Sequence, residues 1–482
     1  MRKDFSRQGR LDGRRVLDVD LNLNCRDEII PVLRALQHVY ATPQLRDKIL
    51  NLIEQDVLGE GNAERGREGL DYWHILVLAA VRLGCNLDYD GLQDLAENHR
   101  NLRSIMGLGD WKDIDFSARR IRDNICRLFP ETIEAISHAL VAEGQRLVPE
   151  AVERVRADSF VVETNIHYPT DSSLIVDGIR KVIGLCVPFA IALGLEGWRQ
   201  HAQLLKAVCH VARNIDRIAA KKGPNYKQRL QTAYAKLLKK SGRVLVGARA
   251  LCAVLQRRSA GGDDLTTLLD FIDRTEHVRN IARRRVIHGE TVPNSDKIFS
   301  IFEPHTQLYK RGKAGEPVQF GRLVLVYEDA AGFIIHHHLM ARDVGDRDVA
   351  TEQTRVVQAR YCGKIKEISF DRGFHSPDNQ TELSELVDNL CLPKPGAKQA
   401  AKQSATASAT FHRARQRHPG IESAIGALQS GNGLERCRDR GEIGFERYLA
   451  LGILGRNLHV LGRVLIAREN AECEAGRSQR AA

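Results

Sequence analysis

Residues Arg154–Ser173 read RVRADSFVVETNIHYPTDSS. The β-branched and aromatic run Phe160, Val161, Val162, Thr164, Ile166 has the character of a strand in a sheet core, predicted over 154–166. Alternation places Asp158 on the side carrying Phe160 and Val162, so a carboxylate points where apolar groups point. An unpaired buried carboxylate is costly and calls for a cation, a metal or a protonated form. A metal is the reading adopted, and it asks which other carboxylates arrive to share it.

The chain has 482 residues, enough for two or three domains. It is 43% hydrophobic and 28% charged, as in a globular protein, and its net charge of +11 favours a polyanionic partner, nucleic acid before a membrane surface. Ten cysteines lie far apart with no C-x-x-C pair, which reads as reduced thiols in a cytosolic compartment. No apolar run reaches the roughly 18–20 residues of a membrane span, and the basic N-terminus lacks the apolar core of a secretory signal.

Outward from Asp158, residues 1–20 are polar and expected to be flexible. From Arg26 to about Gly144 the periodicity is helical, and Leu70–Leu83 is apolar all round, hence buried, with Gly84 as its stop. Two short helical patterns on either side of Asn98–Asn101 resemble a helix-turn-helix, or equally a plain helical bundle. Residues 21–150 are thus predicted to form an all-α domain for DNA binding or oligomerisation. After the strand, about 115 residues from Asp171 to Arg285 are helical, with basic outer faces that include Lys236, Lys239, Lys240 and Arg243. Strands are predicted at 297–302 and 320–327, the latter turning through EDAAG into 333–339. A helix over 346–361, a strand over 365–370 ending in Asp371, and a helix over 375–390 follow. Residues 394–418 are Ala/Ser/Lys-rich and read as a flexible basic linker. A helix from about Ile421 carries Glu422 in its first turn, and a last apolar helix spans roughly 445–468.

Asp158, Asp371 and Glu422 are the candidate catalytic and metal-ligating residues, separated by 213 (371 − 158) and 51 (422 − 371) positions. Asp371 ends a strand just before a glycine turn, where open sheets place functional groups. Three carboxylates suit two Mg²⁺ ions, with Mn²⁺ as the substitute, at roughly 4 Å separation for in-line phosphoryl displacement. Glu435, Glu442 and Glu446 compete for the third position. Asp171 and Asp177 compete with Asp158, although Asp171 reads as a helix N-cap. His336-His337-His338 alternate faces and read as ordinary strand residues, and Trp198 reads as a core aromatic.

The blocks VRADSFVVETNIHYPTDSSLIVDGIR, IFEPHTQLYKRGKAG, ISFDRGFHSPDNQ and IESAIGALQSGNGLERCRDRGEIGFERYLALGILGRNLHVLG resemble motif blocks of bacterial insertion-sequence transposases of the DDE type, most like the ISNCY group. The resemblance spans most of residues 26–465. It implies a mixed α/β chain: a ribonuclease-H-like catalytic domain over 151–470, with a helical insertion at 171–290, behind the N-terminal all-α domain, and a disordered tail at 471–482. It implies metal-dependent cleavage at element ends and strand transfer into target DNA by Asp158, Asp371 and Glu422. The partners implied are double-stranded terminal repeats and target DNA, with a homodimer or larger assembly bound to DNA in the bacterial cytoplasm and no membrane. Related transposases place Tyr and Arg before the final Glu and Lys seven residues after it; here those positions hold Arg415, His418 and Gln429. Lys310, Arg311, Lys313, Arg372, Arg413, Arg415 and Arg417 are the candidate phosphate contacts. Two other readings stay open: a catalytically inactive, domesticated DNA-binding protein, and a host nuclease of the same fold without strand transfer.

Overall fold

A computed structural model describes residues 14–59, 69–109, 116–195, 198–258, 260–310 and 318–481. Arg311 and Lys313 lie outside the described residues. In chain order come α1 (Ile29–Ala41), α2 (Pro43–Leu58), α3 (Tyr72–Gly84), α4 (Tyr89–Asn98), α5 (Arg100–Ile105), α6 (Ala118–Ile125), α7 (Pro130–Leu147) and β1 (Arg154–Thr164). Then follow α8 (Asp171–Ala192), α9 (His201–Lys221), α10 (Tyr226–Arg257), α11 (Gly262–Ala282), β2 (Gln307–Tyr309), β3 (Gln319–Asp329) and β4 (Ile334–Leu339). The remainder is α12 (Asp346–Arg360), β5 (Glu367–Phe370), α13 (Pro377–Leu386), β6 (Asn389–Cys391), α14 (Ala397–Thr406), α15 (Ala409–Arg417), α16 (Gly420–Gly426), β7 (Arg436–Cys437) and α17 (Glu442–Ala481). The chain is mixed α/β, and it divides into two compact units: residues up to Thr164 with those from Arg322 onward, and Asn165–Gly321.

In the first unit β1 is central. β3 lies beside it with β4 antiparallel on β3, while β5 runs parallel on its other side with β6 parallel on β5. The two-residue β7 pairs with the far end of β1 through Glu163 and Thr164. Tyr327 of β3 packs edge-on to Phe370 of β5 and bonds Thr354 of α12 through its hydroxyl, so α12 covers that face.

The N-terminal helices are not a separate body. The boundary expected near 150 is absent because α17 packs on α1, α3 and α7. Every residue of α3 is buried, which a helix apolar all round requires. Gly84 is the last residue of α3 rather than its stop, and its value is closeness: a Cβ on Gly455 of α17 would stand 2.7 Å from Gly84 N, and one on Gly462 1.9 Å from Pro31 O. By length and composition α17 alone among the described helices could cross a membrane, a length the sequence reading overlooked, and 78% of its apolar window is buried in the protein.

The second unit is a bundle of α8–α11 with a continuous apolar core that includes Ile175, Ile179, Leu237, Leu245 and Ile272. Thr170, not Asp171, caps α8 through a capping box with Ser173. β2 pairs antiparallel with Gln319–Gly321. The strand expected at 297–302 does not form. Ser300 Oγ accepts the N–H groups of Phe302 and Glu303 at 3.2 and 3.0 Å and turns the chain, while Phe299 and Ile301 are still buried.

Residues 394–418 also depart from expectation. They form α14 and α15 instead of a flexible linker, with Ser408 Oγ capping α15 on Phe411 N at 3.2 Å. All ten cysteines are free.

Candidate carboxylate site

The register of β1 on β5 decides where the two aspartates stand. Arg154 pairs with Glu367, Val155 with Ile368, Arg156 with Ser369 and Ala157 with Phe370. That offset of 213 (370 − 157) is the interval between Asp158 and Asp371. Strand β5 closes at Phe370, but Asp371 keeps an extended backbone at φ −73° and ψ 161°, so the register carries on by one residue. Asp158 and Asp371 are thus the residues that follow the last paired positions of two adjacent parallel strands, where ideal strands stand about 5 Å apart. Each carboxylate accepts the N–H of the residue after it at 2.7 Å, Ser159 N for Asp158 and Arg372 N for Asp371. Asp158 is half-buried rather than buried, and Asp371 is exposed. The strain of a wholly desolvated charge is thus absent, and both carboxylates remain accessible to a ligand.

A set of polar ties one step below the aspartates holds the segment that leads into Glu422. Arg156 shares the face of Asp158, and its partner in register, Ser369, shares that of Asp371. Arg156 donates from Nη1 to the carbonyl of Arg417 at 3.1 Å and from Nη2 to Glu328 Oε2 of β3 at 2.6 Å. Arg417 reaches back to Glu367 Oε1 at 2.6 Å, and His418 Nδ1 meets Ser369 Oγ at 3.1 Å. The junction between α15 and α16 is thereby fastened to β1, β3 and β5. From it α16 runs against β1 with Ile421, Ala424 and Ile425 buried and Glu422 exposed. Immediately after it the chain makes a π turn over Ala427–Gly431.

The charges around this junction are matched. Burial raises the Glu328 carboxyl above its usual range, and the Arg156 and Arg456 guanidinium groups pull it back. Burial lowers His418 as well, against the opposing fields of Asp371 and Glu422 and in the same sense as Arg156.

The competing carboxylates are committed elsewhere. Asp171 receives Arg285 at 2.8 Å, and Asp177 holds His167 at 3.1 Å and Arg180 at 2.9 Å, all within the second unit. Glu442 pairs with Arg322 at 3.2 Å, and Glu435 and Glu446 lie outside the α16 junction. His336 bonds Gln353 Oε1 at 2.9 Å and His337 meets Glu134 at 3.0 Å, so the three consecutive histidines do not form one cluster. Trp198 packs against the core of the bundle.

Of the candidate phosphate contacts, Arg372, Arg413 and Arg415 are exposed and, among the described residues, have no ion-pair partner. Arg417 is engaged by Glu367. Lys310 is exposed in the second unit. Arg156, Ser369 and Gly420 escaped the sequence reading as parts of the site, whereas His418 stood out only as the residue at a motif position. The one available signal was Arg156, charged and in phase with Asp158 on the same strand.

Three carboxylates supply only hard oxygen donors, the set Mg²⁺ and Mn²⁺ prefer while keeping several waters. The fit is one of donor type. Among the described residues no three His, Cys, Asp or Glu side chains stand close enough to grip one ion. Compared with known proteins, the chain matches no protein-family model, no curated protein and no solved structure.

Proposed function

We propose that the chain is a DDE-type DNA transposase that cuts at the ends of a DNA element and joins the freed 3′ hydroxyl to target DNA. The observation that supports the reading is the parallel register of β1 on β5, which ends at Ala157 and Phe370, the residues just before Asp158 and Asp371, together with the Arg156 and His418 ties that fasten the α15–α16 junction, two to five residues before Glu422. The strand order β4-β3-β1-β5-β6, with the first strand central, supports a ribonuclease-H-like catalytic core. In this reading the helical unit Asn165–Gly321 is an insertion between the first and second strands of that core.

Asp158, Asp371 and Glu422 would be the residues that hold the divalent cations. Two Mg²⁺ ions, or Mn²⁺, would stabilise the attacking and leaving oxygens of an in-line displacement at phosphorus. Arg372, next to Asp371, and Arg413 and Arg415 on α15 are exposed and would meet phosphate oxygens.

The test is to incubate protein, Mg²⁺ and a labelled duplex bearing the element end. Joined products are expected, and Asp158→Asn is expected to lower their rate by at least about 10³-fold. Nicks without joining would favour the nuclease reading, and full activity in Asp158→Asn would sink the site.

A further inference from the structure

The helical unit carries a second feature that the carboxylate site does not use. Residues 201–258, covering α9 and α10, contain fourteen Lys and Arg and a single acid, Asp216, which accepts Ser172 Oγ at 3.2 Å. These cations form stripes. On α9 the exposed Lys206, Arg213, Arg217 and Lys221 lie seven, four and four positions apart, and on α10 the exposed Arg229, Lys236, Lys240 and Arg243 lie seven, four and three apart, with Lys239 beside Lys240. That is the spacing of one helix face. The turn between the helices adds Lys222 and Lys227. Apart from Arg249, which turns to Asp273 and Glu276 of α11 at 2.7 and 2.5 Å, none of these cations has an ion-pair partner among the described residues.

Such an arrangement works against helix stability, since like charges three or four residues apart each cost about 0.2–0.5 kcal/mol. The same bundle interleaves its charges elsewhere: on α11, Asp270 pairs with Arg274, and Asp273 and Glu276 hold Arg249. The omission of acids is therefore confined to α9, α10 and the turn between them.

We propose that the exposed face of the α9–α10 hairpin binds the phosphate backbone of duplex DNA, independently of sequence. From Lys227 to Arg258 the cations are spread over about 46 Å of helix, longer than one turn of duplex. No aromatic residue is exposed on the face for bases to stack on, which argues against single strands. The apolar sides of both helices, including Val208, Ile215, Leu237 and Leu245, are buried in the bundle, which leaves Leu204 and Val246 as the only large apolar side chains exposed on them among the described residues, too few for insertion into a lipid surface. The proposal rests on DNA as the polyanion, but not on the carboxylate chemistry.

The experiment measures binding of the full chain to a random-sequence 30-base-pair duplex between 50 and 400 mM salt. In Lys236→Gln/Lys239→Gln/Lys240→Gln/Arg243→Gln, log K against log salt is expected to flatten by about 3 to 4 in slope, with at least a tenfold weaker affinity at 100 mM. A second set, Lys221→Gln/Lys222→Gln/Lys227→Gln/Arg229→Gln, is expected to add to the first, and both keep the parent's circular dichroism. An unchanged slope in both sets overturns the proposal. So does stronger binding to single-stranded DNA, duplex RNA or phosphatidylserine vesicles than to duplex DNA. If the slope falls while Asp158→Asn cuts as the parent does, this surface stands and the catalytic reading fails.

Discussion

Gly420 lacks a side chain where Arg156 needs room. A Cβ there would stand 1.9 Å from Arg156 Nη1, the nitrogen that bonds the Arg417 carbonyl at 3.1 Å. Gly420 has ordinary helical geometry as the first residue of α16, so its lack of a side chain serves close approach rather than an unusual φ. Arg156 is a positioning residue in this account, holding α16 and so the Glu422 carboxylate. Gly420→Ala is expected to push the guanidinium aside, and Arg156→Met to remove it. Each should lower the kcat of cleavage about 10- to 100-fold, the range seen when groups behind a ligand are changed, with KM for DNA little altered. Because both changes break one contact, the double variant should lose little more than either alone. Additive losses would show that Arg156 and Gly420 act separately. Little of this was legible in the sequence. Asp158, Asp371 and Glu422 stand out by residue type and placement, but a guanidinium bonding a backbone carbonyl 261 residues away leaves no local pattern.

At the scale of elements, β4 carries a buried titratable group with a clear pH consequence. Burial lowers His336 from the ordinary value to about 3, helped by His337, Arg360 and His338 and opposed by its bond to Gln353. The folded state therefore keeps the ring neutral, while the unfolded chain takes up a proton near pH 6.5. The contribution is fully present above about pH 6.5 and is lost as pH falls from there toward 3. Between pH 6.5 and 5 this residue should cost about 2 kcal/mol. His336→Gln should shrink the pH-dependent loss of urea stability by that amount; equal losses in both proteins would refute the burial argument. The elements also show what pattern reading can and cannot reach. The long α10 and α17 declare themselves by apolar periodicity, and α3 by being apolar all round. β6 and β7, of three and two residues, are too short to have any. The Ala/Ser/Lys-rich composition over 394–418 hid two helices, although alanine is the best helix former.

At the scale of the molecule, the chain leaves β1 at Thr164 and returns to the first unit at Arg322, so the aspartate pair is assembled from segments with a separate body between them. This explains why the sheet order was out of reach of sequence patterns: hydrophobic alternation marks strands but says nothing of which distant strand is a neighbour. The same applies to the N-terminal helices, whose amphipathic faces were visible while their shared partner, α17, lay some 300 residues away. Two units with separate cores predict separate opening. Leu237 is fully buried in the core of the helical bundle, and Leu237→Ala should cost about 2–5 kcal/mol there. Native-state hydrogen exchange should then show faster exchange for amides of α8–α11, with those of β1, β5 and α17 unchanged. A uniform rise across the chain would mean that the two bodies unfold as one, and that the carboxylate site depends for its stability on the helical unit as well as on its own sheet.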